Sequence, residues 1–298
     1  MDQMNASPGR PLDPLAAVAM VVLCASWGLN QVAIKLALPE IPPFTQAALR
    51  SLGALPVVLA IARLRNVPIT KSDGTLVAGL AAGALFALEF IFIYPGVALT
   101  TVSRGVVFVY TAPFFIALGA RAFLHEALGM RQWSGLALAF IGIVVAIGAP
   151  DPTVDARTLA GDALMIAAAA TWAATTLVIK GSVLVTTSAE KTTIYQLAVS
   201  AAILGACIVL FGEEMSALPG PVALGWLAYQ AIWVVGITFT LWFALVVRYS
   251  ASRLAAFTFL TPLFGIAAGH FVMGDPITPP FAVAVALVIA GLVLVNRR

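Results

Sequence analysis

Charge is what this sequence has least of: 10% of its 298 residues are Asp, Glu, Lys or Arg, while 61% belong to the apolar set. A soluble domain of ordinary composition is about a quarter charged, so the chain falls roughly 45 charged residues short. What remains cannot wet a globule of this size, which excludes a soluble enzyme, a secreted disulfide scaffold and a disordered linker. Cysteine is scarce too. Cys24 and Cys207 each sit inside an apolar run, where a thiol behaves as a small hydrophobe, and two such residues make neither a disulfide framework nor a metal motif. The two histidines, His125 and His270, fall near the ends of apolar runs. There is no HExxH, no GxSxG and no glycine-rich phosphate loop. Catalysis, a metal, a cofactor and direct ATP drive therefore have no visible carrier.

Long apolar runs are what the chain has instead. A bilayer core about 30 Å thick takes about 20 apolar residues per helix. Ten runs of that kind are present, at 15–37, 44–62, 75–98, 103–123, 132–149, 159–179, 192–211, 222–246, 253–273 and 280–296. They leave only short connections, marked by breakers such as Pro39, Pro42, Pro43, Pro150, Pro152, Pro219, Gly220, Pro221, Pro276 and Pro279. The first run is too long for a signal-peptide core and is read as an uncleaved span behind a tail of residues 1–14.

A net charge of +3 would suggest a nucleic-acid partner in a soluble protein. Here the basic residues mark one side of a membrane. With the N-terminus cytoplasmic, that side receives Arg10, Arg63, Arg65, Lys71, Arg121, Arg131, Lys180, Lys191, Arg248, Arg253, Arg297 and Arg298, against Arg104 and Arg157 on the other. Both termini are therefore expected to be cytoplasmic. The partners expected are a lipid bilayer and a small molecule, with no nucleic acid; the sequence leaves the oligomeric state open and is compatible with a monomer.

The chain repeats itself. WGLNQVAIK at Trp27–Lys35 matches WAATTLVIK at Trp172–Lys180. Ser103, Arg104, Phe108, Pro113 and Phe115 recur as Ser252, Arg253, Phe257, Pro262 and Phe264, and Glu126 corresponds to Asp275. Trp, Lys, Arg and Pro are rare enough here for these coincidences to carry weight. Five spans per half is an odd number, so residues 15–150 and 151–298 would enter the membrane from opposite sides. The expected architecture is an all-α integral membrane protein, with ten transmembrane helices forming two inverted five-helix repeats around a central cavity.

On these residues the chain resembles the drug/metabolite transporter superfamily, most closely its ten-helix amino-acid exporters of the YddG type. The resemblance runs over about residues 15–296. Where that family has a Gly-Glu pair after the fourth helix, this chain has His125-Glu126 and Gly274-Asp275. The resemblance implies a cavity lined by the first, third, fourth, sixth, eighth and ninth helices, with the fifth and tenth outside.

Several residues are candidates for the chemistry. Glu89 is the one carboxylate deep inside a span, and an intramembrane carboxylate is a functional-site hypothesis by default. It suits a substrate-ammonium partner or a protonatable coupling site, or alternatively a structural pair. Tyr94 lies near it. Trp27, Asn30 and Gln31, and their counterparts Trp172, Thr175 and Thr176, each share a helix face, to line a cavity or to bond between helices. In the eighth helix Trp226, Tyr229, Gln230, Trp233, Ile237 and Thr240 recur at helical spacing. Tyr229, Gln230 and Trp233 are expected on the cavity wall, together with Tyr110 and its repeat counterpart Phe259. Pro113 and Pro262 interrupt matching helices and are expected hinges. Lys35, Arg104, Lys180 and Arg253 are candidate gating cations, snorkelling being the alternative for the lysines.

The functional expectation is a secondary transporter exporting amino acids, aromatic or neutral, or related metabolites across a bacterial inner membrane by alternating access. An exporter of drugs or other metabolites is the alternative, and a channel or membrane enzyme is the rival from another class.

Overall fold

The computed structural model describes residues 12–100, 102–126, 128–147, 155–274 and 280–297, without the side chains of 97, 98, 102–104, 106 and 147. Among the described residues the chain is helical, with no strand. The helices are α1 (Pro14–Ala37), α2 (Pro43–Leu64), α3 (Leu76–Leu99), α4 (Val102–Val109), α5 (Ala112–Phe123), α6 (Met130–Ile147), α7 (Ala156–Gly181), α8 (Ala189–Phe211), α9 (Pro221–Ala228), α10 (Thr240–Arg248), α11 (Ala251–Phe257), α12 (Leu260–Met273) and α13 (Phe281–Asn296). A short 3₁₀ turn at Val183–Thr186 follows α7, and an eleven-residue π-helix at Tyr229–Phe239 joins α9 to α10. Among the described residues seven helices are long and apolar enough to cross a membrane and three are shorter but apolar. They supply ten spans: α4 with α5 is the fourth, α9 through α10 the eighth, α11 with α12 the ninth.

Local chemistry sets the ends. Asp13 and Asp155 cap α1 and α7 by accepting from the Ala16 and Thr158 amides, both at 2.8 Å. Such caps satisfy donors that the first turn cannot satisfy itself. Proline opens α1, α2 and α9, where its missing N–H costs nothing. The same rule explains Pro113 and Pro262. The fourth span breaks at Tyr110–Thr111 and the ninth at Thr258–Phe259, and each proline lies in the first turn after the break. In the turns after these spans, His125 and Gly274 take left-handed backbone, φ 56° and φ 76°. His125 stands where the resembled family has glycine, in a conformation that histidine tolerates better than most residues.

Packing obeys a twofold exchange of the first five spans for the second five. The first span packs on the ninth, as the sixth packs on the fourth; the third lies on the seventh, as the eighth lies on the second; the third meets the sixth, as the eighth meets the first. The second–seventh, fourth–ninth and fifth–tenth contacts map onto themselves. Small residues permit the closest approaches. A Cβ on Gly135 would come within 2.7 Å of the Gly291 carbonyl oxygen, which seats α6 on α13, and Gly79 and Gly83 receive the Tyr195 ring and Val199 of α8.

Candidate functional site: a central cavity

Between the halves lies a cavity of about 740 Å³. Its wall runs from Trp27 in the middle of α1 to Lys35 and Leu38 at that helix's end, and takes in Tyr94 near the end of α3 and Met273 at the end of α12. Because α1, α3 and the ninth span all run the same way, these ends share one face, opposite the face where the described chain begins and ends. The cavity therefore reaches from mid-membrane towards that opposite face and is blind towards the terminal face.

One wall is a continuous run of aromatic rings. Trp27 meets Trp242 edge-on at 5.6 Å and Phe239 at 5.8 Å; Phe239 meets Phe86 at 5.7 Å; Phe86 meets Phe90 at 5.1 Å; Phe90 leans on Tyr94 at 6.4 Å. All six rings line the cavity. Edge-to-face pairs at these separations contribute beyond their buried area and hold one another's orientation. The indole of Trp27 is fixed further by donating to Thr238 Oγ1 at 2.9 Å. Across the cavity Tyr110 meets Trp172 edge-on at 6.1 Å.

Glu89, Asn30, Gln31, Thr175 and Thr176 also line the cavity. The threonine hydroxyls donate back to the Thr171 and Trp172 carbonyls, whereas the buried Asn30 Oδ1 has no hydrogen-bond partner among the described residues. Arg50, in the first half of α2, joins them. It lines the cavity, is 2% exposed, and stacks its guanidinium 3.8 Å above the Phe90 ring. Its Nε and Nη2 lack a hydrogen-bond partner among the described residues. A lone arginine well inside an apolar run carries the same signal as Glu89, but the second helix lay outside the set that the family resemblance implied.

Four expected wall residues lie elsewhere. Tyr229 donates to the Ser26 carbonyl at 3.0 Å; Trp233 donates to Ser26 Oγ at 2.9 Å and is 39% exposed; Gln230 is wholly buried away from the cavity. The expectation used α-helical spacing, but Tyr229–Phe239 is wound as a π-helix with i→i+5 bonds; Tyr229 and Trp233, four apart, still share a face, but it is the one turned to Ser26. The eighth span presents Val234, Phe239, Trp242 and Phe243 instead. Phe259 is fully buried and packs with Phe114 and Phe140, off the cavity wall that its counterpart Tyr110 lines. Among the described residues of the fifth and tenth spans, only Ala146 touches the cavity.

The blind end is tied by ions. Lys180 at the end of α7 is 2.7 Å from Glu126 Oε1 and donates to the Tyr249 carbonyl, while Ser250 donates to Glu126 Oε2 at 2.8 Å. On the same face Lys191 bonds Asp73 at 2.8 Å and Arg65 pairs with Glu190. Lys35, the repeat counterpart of Lys180, is exposed at the cavity mouth. Arg253 is half-buried near the terminal face, its Nη1 without a partner among the described residues. The Arg104 side chain, Asp275, the 1–11 part of the tail and the 150/151 boundary lie outside the described residues.

The sequence profile of the EamA-like transporter family matches this chain twice, over residues 14–148 and 159–297. A "Probable amino-acid metabolite efflux pump" of Salmonella typhimurium is 29% identical over 94% of this chain and 93% of its own, and one of the same name from Escherichia coli is 28% identical over the same shares. An "Uncharacterized transporter YvbV" of Bacillus subtilis is 24% identical over 95% of this chain and 92% of its own. A crystal structure superposes with a TM-score of 0.81 at 20% identity, covering 95% of this chain and 96% of that one.

Proposed function

The chain belongs to the EamA-like transporter family, a multi-pass membrane transporter and not an enzyme, and we propose that it exports amino acids or closely related metabolites by alternating access. The observation that carries this is the cavity itself: mid-membrane, between halves related by a twofold exchange, reaching one face and tied shut at the other. Rocking residues 15–150 against 151–298, with Pro113 and Pro262 at the broken spans as hinges, transfers a bound molecule across. Lys180 and Glu126 form the lock that must part when the blind end opens. With both termini in the cytoplasm of a bacterial cell, as the basic residues favour, the cavity faces outward, the state from which an exporter releases.

The aromatic run from Trp27 to Tyr94 favours an aromatic or other apolar side chain, and the efflux-pump relatives favour amino-acid metabolites. An anionic phosphate ester would need clustered cations, and the wall offers Arg50 and Lys35 opposed by Glu89. The test is counterflow of labelled tryptophan, phenylalanine, methionine and threonine in liposomes. Saturable, counter-substrate-stimulated flux is expected for at least one; its absence for all four overturns the amino-acid reading.

A further inference from the structure

We infer that Arg50 and Glu89 together read the charged end of a zwitterionic substrate, Arg50 taking its carboxylate and Glu89 its ammonium, while the aromatic wall takes its tail. The inference rests on the transporter reading above and adds to it a polar subsite with assigned atoms.

Arg50 carries the argument. Stacking on Phe90 occupies the face of the guanidinium and leaves its in-plane N–H donors to find partners elsewhere. Nε and Nη2 find none among the described residues, although the side chain is 98% buried. A buried guanidinium edge left open is costly, and the acceptor matching such a fork is a carboxylate. Both nitrogens are shielded from solvent, so the arginine must swing edge-on into the cavity as the ligand enters.

Glu89 supplies the other half. It precedes Phe90, the ring that Arg50 covers, and it also lines the cavity. The wall thus holds a cation and an anion on adjacent helices at one place. A purely anionic ligand would meet Glu89 and a purely cationic one Arg50, so each pays a repulsion that a zwitterion avoids. Lys35 offers a rival cation, but it is exposed at the mouth, where water screens it. From Phe90 the rings continue through Phe86 and Phe239 to Trp27, so a molecule with its charged end at Arg50 and Glu89 lays an apolar tail along them.

The experiment pairs changes in the protein with changes in the ligand. Counterflow of labelled phenylalanine in liposomes is competed with unlabelled phenylalanine, with 3-phenylpropionate, which lacks the ammonium, and with phenethylamine, which lacks the carboxylate. For the natural sequence both analogues are expected to compete about tenfold or more weakly, the scale of one charge-assisted hydrogen bond. In Arg50→Gln the preference for phenylalanine over phenethylamine should collapse towards unity. In Glu89→Gln the preference over 3-phenylpropionate should collapse. Arg50→Lys should keep a reduced carboxylate preference. Melting curves without ligand identify variants that fail to fold; if Arg50→Gln is among them, Arg50→Lys and the analogue series on the natural sequence decide. Equal competition by all three compounds, or an undiminished carboxylate preference in folded Arg50→Gln, overturns the assignment while leaving the transporter reading intact. Transport of another metabolite with no competition from phenylalanine also overturns it, whereas no flux of any solute overturns the transporter reading itself.

Discussion

The Lys180 ammonium lies 2.7 Å from the Glu126 carboxylate, the two side chains 10% and 7% exposed, and ties the end of the sixth span to the turn after the fourth. Removing one member of a buried pair strands the other charge, at a cost of about 3–5 kcal/mol. Lys180→Met should therefore lower the melting temperature and loosen the blind end, and Lys180→Met with Glu126→Gln should recover part of both. Accessibility is read by placing a thiol at the cavity floor with Thr176→Cys and labelling from the terminal face with an impermeant reagent. Labelling should be slow in the otherwise natural chain and faster once Lys180 is replaced. Equal rates would show that the pair does not hold the closure.

A second ion pair on that face makes a pH prediction. Asp73 accepts from Lys191 at 2.8 Å and from the Thr75 hydroxyl at 2.5 Å, and these bonds push its pKa down to about 2 from 3.8. Because the folded value lies below the ordinary one, the stabilisation is complete above about pH 4 and is lost as pH falls towards 2. Between pH 5 and 8 the Asp73–Lys191 contact should not respond, so any pH dependence of transport in that range must come from other groups. Asp73→Asn should leave the pH profile of flux between 5 and 8 unchanged and flatten the fall of melting temperature between pH 4 and 2.5.

Much of this was legible in the sequence because a bilayer permits so little else. Ten apolar runs, the WGLNQVAIK and WAATTLVIK segments and the matched prolines led to ten spans in two halves before any geometry was known. Trp27, Asn30, Glu89 and Trp172 line the cavity. Two features were hidden. The π-helix at Tyr229–Phe239 rotates its side chains off α-helical spacing, and no residue pattern announces that winding. Arg50 was visible as a letter, but its stacking on Phe90 is a contact between helices that no pattern within α2 records.

The Trp27 indole shows how a ring on the wall is held. Its N–H donates to Thr238 Oγ1, and that hydroxyl in turn donates to the Val234 carbonyl within the π-helix. Thr238→Val keeps the shape and strands the buried donor, which costs about 1–3 kcal/mol. The expected result is a lower melting temperature and a raised KM, since Trp27 also sets the rings of Phe239 and Trp242. Thr238→Ser, which keeps the hydroxyl, should restore KM most of the way. A Thr238→Val variant with unchanged KM would mean that the ring's orientation does not matter to binding.

The two faces of the eighth span can be told apart by substitution. Trp233 bonds to Ser26 and is partly exposed on the outer side of the helix, whereas Trp242 is 3% exposed and lies on the cavity wall. Trp233→Phe removes one hydrogen bond and keeps the ring, so it should lower stability by about 1 kcal/mol and leave KM for the transported solute where it was. Trp242→Ala removes a large buried ring from the wall, a change that costs about 3–5 kcal/mol in a packed core and less where a cavity already adjoins. It should raise KM about tenfold, the scale of one lost aromatic contact, and Trp242→Phe should recover most of that. If Trp233→Phe moved KM and Trp242→Ala did not, the substrate would be contacting the face that α-helical spacing suggested, and the π-wound segment would have to unwind in the transport cycle.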